Sequence, residues 1–170
     1  MQVAPTVTRI IGLDPGLRHT GWGVIETQGN RLRYIAHGII APCPTLELAQ
    51  RLNKLFQGLM DVIHNFSPDE AAVEETFVNA VNAASALKLG MARGVVLMAP
   101  ASANLLVAEY SANKVKKSVV GVGHADKVQV SMMVQRLLPT CGAVKADAAD
   151  ALAVAICHAH HRQTSLLMRA

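Results

Sequence analysis

A chain of 170 residues that is 51% hydrophobic and only 16% charged can bury one sizeable core, which argues against a disordered tail and for one domain, 1–170, with its core at 8–161. A net charge of +4 permits a polyanionic partner without requiring one. Three cysteines, Cys43, Cys141 and Cys157, with no CxxC pair, argue against a disulfide framework and a structural zinc site.

Residues 7–13 form an apolar, β-branched run ending at Asp14-Pro15-Gly16, which predicts a buried strand with Asp14 at its carboxyl end. Two more strands, 21–26 and 31–40, flank Gln28-Gly29-Asn30, whose Gly and Asn supply the positive φ angles of a hairpin. Thr45 offers an N-cap for a helix to about residue 65, with Leu48, Leu52, Leu55, Leu59 and Ile63 on one stripe. After Ser67-Pro68 come a fourth strand at 71–75 and a long helix at 79–99. Ala86, Gly90 and Gly94 give that helix a face almost without side chains, suited equally to packing on its own sheet or to a subunit interface. A fifth strand at 105–109, a basic segment, a helix at 125–138 and a last helix at 146–161 complete the chain. Early hairpins followed by alternating helices and strands predict an α/β fold: a five-stranded mixed sheet flanked by helices on both faces, with the first, fourth and fifth strands parallel.

Residues 94–108 are uncharged but contain Pro100, Ser102 and Asn104 and fall short of the ~20 residues of a membrane span. Residues 1–6 show no basic region leading into an apolar one, so no secretory signal and no membrane are expected, and a cytoplasmic location follows.

Four of the twelve acidic residues sit where this architecture can gather them: Asp14 and Glu74 at strand ends, Asp147 and Asp150 in the first turn of the last helix. The others fall on expected solvent faces. A DxxD pair alone is commonly a plain dipole stabiliser, but Ala146-Asp147-Ala148-Ala149-Asp150-Ala151-Leu152-Ala153 is otherwise apolar and must pack on the sheet. Carboxylates facing a core are costly unless something neutralises them, and one cation cannot serve four. Hard oxygen ligands without Cys or His point to Mg²⁺ or Mn²⁺, and a pair of such ions suits phosphodiester hydrolysis. Lys114, Lys116, Lys117 and Lys127 concentrate four of sixteen basic residues near the same strand ends and a helix N-terminus, where phosphate binds readily. Cys157 and His161 share a helix face, a spacing open to a transition metal, although histidines near a helix C-terminus are also favoured by its dipole. Trp22 and Tyr34 are read as strand packing.

Gly12-Leu13-Asp14-Pro15-Gly16, Thr20-Gly21-Trp22-Gly23, Val73-Glu74, Ser85-Ala86-Leu87-Lys88-Leu89-Gly90, Ala92-Arg93-Gly94, Tyr110, Val119-Val120-Gly121-Val122-Gly123, Lys127 and the segment from Asp147 to Ala153 resemble the RuvC family in order and spacing, over about 8–161. The resemblance implies a ribonuclease H-like fold and a homodimeric, Mg²⁺-dependent endonuclease. Such an enzyme makes symmetric paired nicks in four-way (Holliday) DNA junctions and works with the branch-migration proteins RuvA and RuvB. It implies Asp14, Glu74, Asp147 and Asp150 as catalytic metal ligands and Lys116 and Lys127 as the DNA contacts nearest the chemistry. It also favours Phe77 as a stacking platform for an unpaired base over Phe77 as a core anchor. Glu75 departs from the family's usual uncharged residue and, by strand alternation, faces away from Glu74. Three alternatives stay open: a nucleotide-binding ATPase, against which the length of the chain counts, a non-catalytic junction-binding module, and a related nuclease acting on structured RNA.

Overall fold

The computed structural model describes residues 6–76 and 82–167, with side chains through Arg162. The elements run β1 (Thr8–Asp14), β2 (Thr20–Gln28), β3 (Arg31–Ile40), α1 (Leu48–Phe66), β4 (Glu70–Glu75), α2 (Ala83–Ser102), β5 (Leu106–Ser111), α3 (Ala112–Val120), α4 (Lys127–Leu137), a 3-10 turn (Pro139–Cys141) and α5 (Ala146–Leu167). The strands form one sheet in the order β3-β2-β1-β4-β5. β1, β2 and β3 make the expected antiparallel meander, and β1, β4 and β5 pair in parallel. Gly29, at φ 58, turns the β2–β3 hairpin as the Gly and Asn there require.

Period-two alternation divides the sheet's residues between two cores. Ile11, Leu13 and Val73 face α1 and α2, packing with Leu55, Leu59, Ala92 and Val96. Ile10, Ala72 and Tyr110 face the other way, onto Val115, Val130, Leu152 and Ile156 of α3, α4 and α5. Helices therefore cover both faces. Among the described residues no helix is long and apolar enough to cross a membrane.

α5 lies on the sheet at backbone contact, and glycines make this possible. A Cβ at Gly12 would sit 2.1 Å from the Ala151 carbonyl oxygen, one at Gly21 would sit 1.9 Å from that of Asp147, and one at Gly23 would sit 2.6 Å from Leu152 Cδ2. Three glycines on β1 and β2 thus form a trough for the alanine-rich start of α5, which sets Asp147 and Asp150 over the strand ends.

Three expectations need correction. Thr45 does not cap α1: it sits in the preceding turn with its hydroxyl 3.0 Å from Cys43 Sγ, and Glu47 is the N-cap, its backbone N–H donating to Gln50 Oε1 at 3.2 Å. The basic segment after β5 is a helix, α3, capped by Ser111 and ended by Gly121 at φ 95. The acids outside the expected four are not all on solvent faces: Glu26 is buried between Arg9 and Arg33, and Glu70 is partly buried between His158 and Arg162. The helix expected at 79–99 is described from Ala83, with Asn82 as its N-cap, and residues 79–81 lie outside the described residues.

Candidate active site

Asp14 ends β1 on the α5 face, two residues past Gly12 in the same alternation. Leu13 pairs with Val73 in the parallel register, so Asp14 and Glu74 are the next residues on adjacent strands. Asp14, Glu74, Asp150, Lys116 and Lys127 line one cavity of about 190 Å³. Asp14 also belongs to a second, larger cleft that contains Asp147. The four acids are thus brought to one end of the sheet, with Asp14 as the wall common to both spaces. Glu75 alternates onto the α1–α2 face with Val73 and lines neither.

These carboxyls are strained electrostatically. Burial, followed by the charges of Glu74, Asp150 and Asp147, pushes Asp14 up to about 8. Burial, then Asp150, pushes Glu74 up to about 7, although Lys116 and Lys127 pull it down. Asp150 is also raised by burial, against the pull of Lys127, whose Nζ lies 3.4 Å from its Oδ2. Asp147 Oδ2 lies 4.0 Å from His19 Nδ1.

The fold's other buried acids are treated differently. Hydrogen bonds from Arg33 and Arg9 hold Glu26 below the usual carboxylate range, and hydrogen bonding to His158 and Arg162 brings Glu70 down to about 2. No guanidinium serves Asp14 or Glu74 among the described residues. Uncompensated carboxylates gathered at strand ends suit hard divalent cations such as Mg²⁺ or Mn²⁺, and no Cys or His lines the cavity to favour a softer metal. As they stand, no three His, Cys, Asp or Glu side chains among the described residues are drawn to metal-holding spacing. Asp150 leans on Lys127 and Asp147 faces His19.

Of the lysines expected at the site, Lys116 and Lys127 line the cavity. Lys114 does not: its Nζ lies over the Tyr110 ring, 5.1 Å from the centroid. Lys117 lies exposed in the last turn of α3. Phe77 falls outside the described residues. Cys157 Sγ is 3.6 Å from His161 Nδ1, but they gain no third His, Cys, Asp or Glu within metal-holding reach among the described residues. Reading along the chain missed Arg51 and Lys88, which join Arg18 and His19 around the larger cleft, because these residues lie on separate elements with no shared motif.

An antiparallel meander continued by parallel β-α-β units, with acids converging at the carboxyl end of β1 and β4, defines a nuclease of the ribonuclease H-like class. The family model described as crossover junction endodeoxyribonuclease RuvC matches residues 10–158. The chain belongs to the RuvC family of crossover junction endodeoxyribonucleases.

A relative of that name from Paramagnetospirillum magneticum is 65% identical over 156 residues, 92% of this chain and 93% of its own. One from Rhodopseudomonas palustris is 59% identical, over 95% and 92%. The structure of Thermus thermophilus RuvC in complex with a Holliday junction substrate is similar with a TM-score of 0.86 at 32% identity, over 93% of this chain and 96% of that one. The yeast mitochondrial Holliday junction resolvase, at 13% identity and a TM-score of 0.66, shares the fold.

Proposed function

We propose that this chain acts as one nuclease domain that resolves Holliday junctions, with Asp14, Glu74, Asp147 and Asp150 as its hydrolytic centre. The observation that carries this is the gathering of partly buried carboxyls that no arginine neutralises, in a fold where Glu26 and Glu70 have arginine partners. The four side chains would hold two Mg²⁺ ions, or Mn²⁺ in their place, which supply activation of the attacking water and stabilisation of the leaving oxygen. Lys116 and Lys127 hold the scissile strand by its phosphates from the wall facing Glu74 and Asp150. Lys114 and Lys117 add charge beside Lys116 on α3, and Phe77 stacks on an unpaired base at the junction centre.

Two symmetric nicks need two active sites, and α2 supports a homodimer. Leu87, Met91 and Met98 are 62%, 39% and 53% exposed, and they share the outer face with Gly90 and Gly94, beside which a Cβ would meet open space. Family resemblance adds RuvA and RuvB as partners in branch migration, with the work done on cytoplasmic DNA.

The test is a synthetic four-way junction incubated with Mg²⁺. Wild-type protein gives paired nicks at symmetric positions. Asp14→Asn binds the junction and leaves it whole. Cutting by Asp14→Asn at the wild-type rate refutes the assignment, and a preference for structured RNA over junction DNA redirects the function.

A further inference from the structure

The larger cavity beside Asp14 shares Asp14 and Asp147 with the proposed hydrolytic centre, and its remaining walls have no role there. It holds about 480 Å³, within the ~300–1,000 Å³ of spaces that take ligands. Its cationic walls come from three places: Arg18 in the loop after β1, where His19 lies beside it, Arg51 near the start of α1, and Lys88 on α2. Asp14 and Asp147 close it on the catalytic side.

Among the described residues, Arg18, Arg51 and Lys88 enter no salt bridge, as Lys116 of the neighbouring cavity also enters none. Arg51 donates through Nη2 to the Leu17 carbonyl at 3.2 Å, which ties it to the loop, while its Nε is buried without a partner. Cations around a cleft without carboxylate partners form an arrangement that an anion completes. The walls among the described residues are charged rather than aromatic, so the fitting ligand is the anionic sugar-phosphate backbone.

We propose that this cleft is a second phosphate-binding site of the nuclease, holding the scissile strand on the side of Asp14 away from Lys116 and Lys127. The inference rests on the nuclease reading above. A strand whose scissile phosphate lies at the carboxylates must leave the centre in two directions. One runs past Lys116 and Lys127, and the other enters the cleft that begins at Asp14. Arg51 supplies a planar fork for phosphate oxygens and Lys88 a point charge on the facing wall. The scissile phosphate is then gripped from both flanks, which fixes it over the acids.

The test walks single uncharged methylphosphonate linkages through the scissile strand of a four-way junction and measures binding without divalent ions, so that no strand is cut. Wild-type protein loses affinity at linkages on both sides of the cut. Arg51→Gln with Lys88→Gln binds the unmodified junction more weakly, with a salt slope smaller by about 2. It becomes insensitive to neutral linkages on one side only. Lys116→Ala with Lys127→Ala loses sensitivity on the other side.

Equal sensitivity of the Arg51/Lys88 variant and wild type at every linkage overturns the proposal, as does an unchanged salt slope. Lys88 is exposed, so Lys88→Gln alone carries the test if the double variant fails to fold, with a slope change of about 1 expected. Asp14→Asn is run beside these variants. If it still nicks, the hydrolytic assignment fails while the linkage pattern remains readable.

Discussion

Asp14 and Glu74 carry their proposed role at a cost to the stability of the fold. They titrate at about 8 and about 7 in the folded chain, against ordinary values of 3.8 and 4.5. Between those values the folded state binds more protons than the unfolded one, so stability falls as pH rises and the loss is complete above about pH 8. Glu70 works in the opposite sense: held at about 2, it adds stability that is present above its ordinary 4.5 and is lost as pH falls through the folded value. Metal-free protein should therefore have its highest melting temperature near about pH 4–5 and a lower one at about pH 8, and saturating Mg²⁺ should remove most of that decline. A melting temperature that is flat across this range, followed by calorimetry, would contradict the shifts. Asp14→Asn removes the most strained charge, so at pH 8 without metal it should melt higher by a few degrees, each 1 kcal/mol corresponding to about 2–4 °C in a chain of this size. Lys116→Ala should lower the salt slope of junction binding by about 1. The gathering of the four acids was legible along the chain because Asp14 and Glu74 stand at the ends of apolar strands and Asp147 and Asp150 interrupt the apolar start of α5, where a carboxylate is conspicuous. Arg51 and Lys88 were not, since each looks like an ordinary polar position of an amphipathic or small-residue helix until the fold sets both beside Asp14.

At the scale of elements, the placement of α5 matters most. Gly12, Gly21 and Gly23 let its backbone touch β1 and β2, so Gly12→Ala should force α5 away and cost at least the ~1–3 kcal/mol of an overpacked core. Gly21→Ala meets the Asp147 carbonyl itself and should lower junction cleavage more than its loss of melting temperature explains. Cleavage that tracks stability alone would show that α5 has room to adjust. The meander and the parallel direction of β1, β4 and β5 were readable from the hairpin turn and the alternation of helices and strands. α3 was not, because only Val115 and Val119 mark its buried side, a single turn of periodicity hidden among lysines. Its end signals, Ser111 and Gly121, were present but fell inside a segment whose charge suggested a solvated connection. The shift of the α1 cap from Thr45 to Glu47 has a local cause: a threonine engaged with Cys43 is not available to the helix.

For the whole molecule, one outer face of α2 stays apolar while the inner face, with Ala92, Val96 and Ala99, fills the core. A homodimer through this surface predicts that Leu87→Glu with Met91→Glu yields a monomer by analytical ultracentrifugation, with paired nicking replaced by single, uncoordinated cuts. A wild-type chain that sediments as a monomer at micromolar concentration would rule out that assembly. Under the proposed mechanism each chain takes up divalent ions at its four carboxylates once DNA is present. The most direct measurement is calorimetric titration of Mn²⁺ into protein bound to a junction that cannot be cut. Saturable sites in the wild type, lost in Asp14→Asn and weakened in Asp150→Asn, are the expected result. Heat of binding that is absent from the wild type, or unchanged in Asp14→Asn, would contradict a metal centre built from these acids.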